Sequence, residues 1–496
     1  MPRVKSKIKI AAFANASRGI YIISNNKAKT NGHNGMTAET AVTYKNPLGH
    51  APLGRLMLRF SVPCIITFVV NSLYNMVDQI FIGHGVGYLG NAATNVIFPL
   101  AVMAMAVSLM LGDGGAAFMN LNLGKGDKNE ASKVVGNVVI ASVVSGLALT
   151  AVCLIFMEPF CRLLGATQDS LQFSLDYGYI IALGFVFSTF SISVCALIRA
   201  DGSPGYSMAV AVAGAITNTV LDPIFIFGFG WGVKGAAIAT ITGQAVSAGL
   251  CLSYFTKFKH VDFTLSRLKA DIRAITKICA FGVSSFITQA AIFVTISANN
   301  NALAFYGARS AYGADIPLAA LGITMKVNMI ILGVCIGIAA GCAPIISFNF
   351  GAMQLARVKK VVVNCIAASA VIMALATVCY ELLPQYIVLA FGAGSELYEQ
   401  FSVKTFRIFL CLSVLNGFQV CSSIFFQSIG KPVKAIVISI SRQVLLYIPV
   451  MLAMCSFGGI EGILWTGPIV DLLTFCLALP LVIVQFMKFK KMAAVG

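Results

Sequence analysis

Residues 199–240 read RADGSPGYSMAVAVAGAITNTVLDPIFIFGFGWGVKGAAIAT. This apolar run is long enough to cross a bilayer, yet it contains Asn218 and Asp222, which share one helix face because they lie four residues apart. A carboxylate near mid-bilayer costs at least ~2.5–3.5 kcal/mol on insertion scales, so it is rarely there without a use. The first apolar segment holds a second such carboxylate, Asp78. Together they indicate a pathway for a cation or a proton.

The composition is that of an integral membrane protein. Of its 496 residues, 58% are hydrophobic and only 11% are charged, which is too apolar for a soluble globular protein. Twelve apolar segments of membrane-spanning length follow one another and predict an all-α polytopic membrane protein with twelve transmembrane helices. These segments are 58–83, 92–121, 134–157, 173–198, 206–230, 235–256, 275–306, 316–349, 361–383, 402–428, 434–456 and 462–487.

The net charge of +17 follows the membrane topology. Most of the 35 lysines and arginines lie before residue 60 or in alternate loops, as the positive-inside rule expects of cytoplasmic segments. We therefore expect both termini in the cytoplasm and no binding of nucleic acid. The basic segment 1–50 is predicted to be a disordered tail, with binding to anionic lipid as the alternative.

The chain contains an internal repeat. LGKGDKNEASKVVGNVV at 123–139 aligns with FGAMQLARVKKVVVNCI at 350–366, and ADGSPGYSMA at 200–209 aligns with SIGKPVKAIV at 428–437. Each half holds six segments, an even number, so the halves enter the membrane in the same orientation, as a parallel repeat. Two six-helix lobes facing a central cleft suit alternating access. The predicted parts are an N-lobe at 51–256, a cytoplasmic connecting loop at 257–274, a C-lobe at 275–487 and a basic cytoplasmic tail at 488–496.

Three motifs carry a resemblance to a family. They are NPLGHAPLGRLMLRFSVPCIITFVVNSLYNMVDQIFIGHGVG at 46–87, LGDGGAAFMNLNLGKGDKNEA at 111–131, and RADGSPGYSMA with NTVLDPIFIF between 199 and 227. Together they resemble the multidrug and toxic compound extrusion (MATE) transporters, in particular the MepA-like bacterial branch. The resemblance covers residues 46–490.

The resemblance implies two six-helix lobes in the bacterial inner membrane. It implies export of small amphiphilic, often cationic compounds in exchange for Na+ or H+, with no cofactor, no protein partner that the activity requires, and membrane lipid as the surroundings. It also implies a coupling cluster in the N-lobe at the matching positions, which are Asp78, Asn218, Asp222 and Thr240. Asn75 shares a helix face with Asp78 by its spacing and joins them.

The oxygen atoms of this cluster suit either coupling ion. Carboxylates, amides and a hydroxyl are hard ligands for Na+, and two carboxylates held close together can share a proton. The alternative is that these side chains only connect helices by hydrogen bonds, as polar residues in membrane bundles often do.

The C-lobe departs from the family pattern. Other members place acidic residues on the seventh and tenth helices, whereas here the seventh segment has none and the tenth has Asn416, so the coupling site is expected in the N-lobe. Lys326, Arg442 and Asp471 lie inside C-half segments, either as paired structural charges or as a network that gates the C-lobe. Asp113 is expected at a wet helix end.

Three classes of function compete. HExxH, GxSxG and Walker motifs are missing from the sequence, so the chain resembles neither a hydrolase nor an ATP-driven pump. The leading hypothesis is a cation-coupled antiporter. The alternative is a flippase for a lipid-linked saccharide from the same superfamily, whose cleft should hold more bases than Lys326 and Arg442. A channel is disfavoured because the repeat predicts a cleft without an evident filter.

Overall fold

The computed structural model describes residues 46–164, 166, 168–261, 269–313, 315–390 and 396–495. Within these ranges the regular structure is entirely helical, which confirms the predicted all-α class. Most of the predicted basic tail, at 1–45, lies outside the described residues. So does 262–268, the middle of the predicted connecting loop.

The first half of the chain forms one short helix and six long ones. Short sequence signals set their ends: Asp127 caps α4 by accepting from the Glu130 N–H at 3.0 Å, and Gly126 ends α3 in the left-handed conformation. The elements are α1 (Pro47–His50), α2 (Leu53–Gly85), α3 (Tyr88–Lys125), α4 (Lys128–Leu163), α5 (Gln168–Ala200), α6 (Pro204–Pro223) with a π-turn at Ile224–Gly228, and α7 (Gly232–Tyr254).

The second half contains helices that are broken more often. A 3₁₀ turn at Phe255–Lys257 precedes it. Its helices are α8 (Ile272–Gly307), α9 (Asp315–Gly351), α10 (Leu355–Leu382), α11 (Pro384–Ala390), α12 (Glu396–Phe409), α13 (Val414–Ser428), α14 (Pro432–Ile440) with a π-turn at Ser441–Leu445, and α15 (Tyr447–Val495).

The number of membrane crossings depends on how two of these broken regions are divided. Residues 432–492 form one apolar stretch of 61 residues, which is ~90 Å long at 1.5 Å per residue and so too long for one crossing of a ~30 Å core. Its backbone is non-helical at Gly459, with φ 54° and ψ −130°, where the stretch divides. The pair α12 and α13 is bent by 52° and is together long and apolar enough for one broken crossing. The described residues thus give twelve crossings, as predicted.

The helices extend beyond the predicted apolar segments. For example, the segment 134–157 lies inside α4, and α15 continues past Met487 through the lysine-rich end to Val495. Hydropathy marks only the apolar part of a helix, whereas Lys and Glu also favour helical backbone.

Helices of the same half pack on one another, and the halves meet where α2 contacts α9 and where α3 contacts both α8 and α9. Glycines allow the backbones to approach closely: a Cβ on Gly282 would overlap the Met110 carbonyl, and one on Gly351 would overlap that of Leu121. These contacts lie toward one end of the bundle, where the helix ends carry Lys125, Lys257 and Arg357. We call it the basic end.

The last residues of the predicted disordered tail are structured, which corrects the boundary at residue 50. Leu48 of α1 is buried among apolar residues of the second half. The Asn349 amide donates to the Leu48 carbonyl at 2.9 Å, and the Arg357 guanidinium donates to the Ala51 carbonyl at 2.9 Å. The start of the chain's first half is therefore anchored on the second half.

Replacing Gly282 should weaken the contact between the halves. We expect Gly282→Ala to lose about 1–3 kcal/mol of stability, because the added methyl group meets a backbone carbonyl that cannot turn away. The measurement is the thermal unfolding midpoint of the purified protein in detergent. Gly322→Ala on α9 is the matched control, since no atom lies near its added Cβ. An equal midpoint in the two variants would contradict this packing.

Candidate functional site

Four of the five residues predicted for the coupling cluster lie together in the first half. The Asn218 amide donates to Asp222 Oδ1 and to Thr240 Oγ1, both at 3.2 Å, and so connects α6 to α7. Asp78 of α2 lies within hydrogen-bonding reach of the Asp222 carboxyl group. The structure thus brings two carboxylates, an amide and a hydroxyl from three helices to one place.

Small residues explain how α6 and α7 come close enough for this contact. A Cβ on Gly243 would lie 2.6 Å from the Gly214 carbonyl oxygen and 3.3 Å from Asn218 Cβ, so side chains larger than hydrogen would push the helices apart at this crossing. Pro223 follows Asp222 directly and has no N–H to donate, which removes one helical hydrogen bond. The backbone widens there into the π-turn, closed by the Phe229 N–H donating to the Ile224 carbonyl at 2.9 Å.

The cluster contains acceptor oxygens that no donor reaches. Asn218 is 2% exposed and Asp222 is 0% exposed. Asp78 Oδ1, Asp222 Oδ2 and Asn218 Oδ1 are buried without a hydrogen-bond partner. Leaving such atoms unpaired is costly, so native structures rarely do so without a reason. A bound cation or a shared proton would satisfy these oxygens.

Two tyrosines near the cluster were not predicted. Tyr74 of α2 and Tyr177 of α5 lie close enough to interact electrostatically with both carboxylates. Tyr177 had no spacing relation to the other polar residues, so the sequence contained no signal for it. By contrast, the exposed Asn75 donates to the Asn71 carbonyl of its own helix at 2.7 Å and also lies within hydrogen-bonding reach of Tyr74, so it borders the cluster through that tyrosine.

The second half holds a separate charged network. Arg442 Nε donates to Asp471 Oδ1 at 3.1 Å, and the Asn416 amide donates to Asp471 Oδ2 at 3.0 Å. The Gln419 amide adds a bond to the Asp471 carbonyl at 2.9 Å; sequence reasoning had missed it. Lys326 does not belong to this network: it is exposed on α9, and among the described residues it pairs with no carboxylate.

Asp113 is placed differently from the expectation of a wet helix end. It lies within α3, 3.7 Å from the Arg199 guanidinium, and accepts from the Ser285 hydroxyl at 3.1 Å. The Gln427 amide donates to that hydroxyl at 2.9 Å, so the chain of contacts crosses from the first half to the second. A cavity of about 50 Å³ between the halves borders Asp113, Arg199, Ser347 and Gln427.

Comparison with known sequences gives consistent matches over most of the chain. Residues 63–224 and 285–452 match the MatE family model, one match in each half. The multidrug export protein MepA of Staphylococcus aureus (strain MSSA476) is 24% identical over 421 residues, which cover 84% of this chain and 90% of that protein.

Comparison with solved structures supports the same fold. An outward-facing multidrug resistance MATE family transporter of the MOP superfamily superposes with a TM-score of 0.84 at 21% identity, covering 90% of this chain and 98% of that one. A MOP superfamily transporter from Pyrococcus furiosus Vc1 (DSM3638) matches with the same TM-score, identity and coverage; the reverse polarity of its binding pocket has been taken to suggest a different function.

Removing the acid of the second-half network should destabilise the protein. Asp471→Asn leaves Arg442 without its counter-charge, and we expect a loss of about 1–3 kcal/mol, below the roughly 3–5 kcal/mol of a fully buried pair because the Arg442 side chain is 26% exposed. Unfolding midpoints measure the loss. Lys326→Gln should change little. Arg442→Gln combined with Asp471→Asn should cost less than the two single losses added together; strict additivity would contradict the pairing.

Proposed function

The chain belongs to the MATE family of membrane transporters, and from that premise we propose that it is a cation-coupled antiporter exporting small amphiphilic, cationic compounds by alternating access. The coupling ion is Na+ or H+, bound in the first half. Asp78, Asn218, Asp222 and Thr240 are the proposed ligands. The protein resides in a bacterial cytoplasmic membrane with both termini inside, as its loop charges favour.

One observation carries this proposal: the paired carboxylates have no cationic side chain beside them. Among the described residues, neither Asp78 nor Asp222 takes part in an ion pair with Lys, Arg or His. Asp113 and Asp471, two other acids within helices of the bundle, each have an arginine partner. The charge at the first-half cluster is therefore available to an ion from outside the protein.

The chemistry of the cluster accommodates either ion. Na+ is a hard cation and would take the unpartnered oxygens of Asp78, Asp222 and Asn218. A proton would bridge the two carboxyl groups, which lie close enough to share it. Either ion lowers the cost of holding negative charge away from water. If the ion binds one conformation of the bundle better than the other, it shifts their populations by that difference in affinity.

The contacts between the halves supply the conformational element. At the basic end, the halves are held by glycine contacts and by the chain Arg199, Asp113, Ser285 and Gln427. Opening that end would break these contacts, which together favour the present arrangement. Ion binding in the first half would change the balance between the two arrangements, because α2 belongs both to the coupling cluster and to the contact with α9.

The sharpest prediction concerns Asp222. Asp222→Asn is nearly isosteric but carries no charge, so the protein should reach the membrane in normal amount and lose at least tenfold in gradient-driven efflux. Asp78→Asn should do the same, and the double variant should be little worse than either, as for residues that act as one unit. The measurement is ethidium efflux from vesicles with ΔpH or ΔNa+ imposed separately, normalised to membrane abundance.

Asp169→Asn is the matched control, because this exposed carboxylate at the start of α5 loses the same charge away from the cluster. It should transport like the unmodified protein. Full coupled efflux by Asp222→Asn would show that the cluster only connects helices and that coupling occurs elsewhere.

The charge of the transported compound is predicted from the carboxylates of the first half. We expect cationic dyes to be exported at least several-fold faster than anionic dyes of similar size, since the uncompensated charge in the first half is negative. Paired uptake assays in everted vesicles under one imposed gradient compare the two. Equal or faster export of the anionic dyes, or movement of a lipid-linked saccharide without any gradient, would contradict the proposed antiporter.

A further inference from the structure

The repeat places two equivalent turns at the basic end, one after α5 and one after α13. Gly202 and Gly430 each adopt a positive φ, of 88° and 70°. Each is followed two residues later by a proline, Pro204 or Pro432, at the start of the next helix. The backbones of the two turns therefore correspond, and differences between them reside in the side chains.

The turn in the first half contains its own acid. Asp201 is 0% exposed and accepts three hydrogen bonds, from the Tyr254 hydroxyl at 2.8 Å and from the backbone N–H groups of Lys259 at 2.8 Å and His260 at 2.9 Å. Its negative charge is thus used to hold the chain that follows α7.

The turn in the second half is basic and lacks the acid. Ile429 stands where the other turn has Asp201, and Lys431 stands where it has Ser203. Lys431 lies close enough to Lys434 and Lys488 to be affected by their charges. Burial is the main cause that lowers the pKa of its amine, and the charges of these two lysines lower it further. Among the described residues, no carboxylate pairs with any of the three.

The position of Lys431 is fixed by a buried partner. Its Nζ donates to Gln485 Oε1 at 2.7 Å, and Gln485 is 0% exposed. Lys434 lies over the ring of Phe426, with its Nζ 4.9 Å from the centroid. The lysines are therefore held together by packing despite their mutual repulsion, which an anion between them would relieve.

Two exposed apolar side chains adjoin this basic group along the chain. Val433 is 70% exposed and Met487 is 53% exposed, and each is the chain neighbour of one of the lysines. A soluble anion would leave these side chains without a partner. A ligand that joins a phosphate to a hydrocarbon chain would cover both.

We propose that Lys431, Lys434 and Lys488 form a binding site for the phosphate of an anionic phospholipid, whose acyl chain lies along Val433 and Met487. The head group sits at the basic end, where the lysine-bearing helix ends meet the head-group region. The lipid compensates a charge that the protein itself leaves unpaired, and it contacts α13, α14 and α15 of the second half alone.

The test uses the purified full-length protein in detergent with added phosphatidylglycerol or phosphatidylcholine, and native mass spectrometry to measure retained lipid. We expect selective retention of phosphatidylglycerol. The triple variant K431Q/K434Q/K488Q should bind it on the order of a hundredfold more weakly, since each lysine near a lipid surface contributes about fivefold. If the triple variant fails to fold, K488Q replaces it, because this substitution changes an exposed side chain. K488Q should weaken the binding of phosphatidylglycerol about fivefold.

The matched control is K125Q/K257Q/K277Q, which removes three charges from the same end of the bundle but from the first half and from α8. It should retain phosphatidylglycerol. Equal loss of lipid in both triple variants would overturn the proposal in favour of a diffuse surface charge. Binding of inorganic phosphate as tight as that of phosphatidylglycerol would also overturn it, because the site would then need no acyl chain.

Discussion

A charged group inside an apolar bundle must find a partner, and the arrangement of this protein follows from how each carboxylate meets that requirement. Asp471 pairs with Arg442, and Asp113 pairs with Arg199. Asp78 and Asp222 lie beside each other instead, and the polar groups that the described residues place near them are amide, hydroxyl and phenol groups. Removing charges from water is costly in each case, and among the described residues neither Asp78 nor Asp222 has a cationic side chain to offset that cost. The proposed ion site rests on that difference.

The two halves share a backbone plan but not a polar pattern. By the spacing of the repeated turns, Val450 occupies in the second half the position that Asp222 has in the first, and Leu446 the position of Asn218. At the crossing of α6 and α7 the polar residue is instead in the second half, because Gly214 of the first half corresponds to Arg442. One half therefore contacts through glycine where the other forms an ion pair. Among the described residues, the paired carboxylates of the first half have no arginine beside them, whereas Asp471 of the second half does.

Much of this architecture could be predicted from the sequence, for identifiable reasons. Hydropathy and helix length predict the crossings, and the four-residue spacing predicts the contact between Asn218 and Asp222. The meeting of Asp78 with Asp222 was inferred from family resemblance, because spacing cannot relate helices so far apart in the chain. The sequence could not show that Lys326 lies apart from Arg442 and Asp471, because an apolar run does not reveal which helix face points outward. The short helix α1 was missed because its four residues form no apolar run.

The attachment of α1 to the second half means that the halves are joined twice at the same end of the molecule. One connection is covalent, through the segment between α7 and α8, and the other consists of the bonds that Asn349 and Arg357 make to the carbonyls of Leu48 and Ala51. Two tethers at one end limit how far the halves can separate there, whereas these tethers place no such limit at the opposite end. A rocking motion of the halves would therefore be unequal, with a wider mouth at the end away from the basic residues.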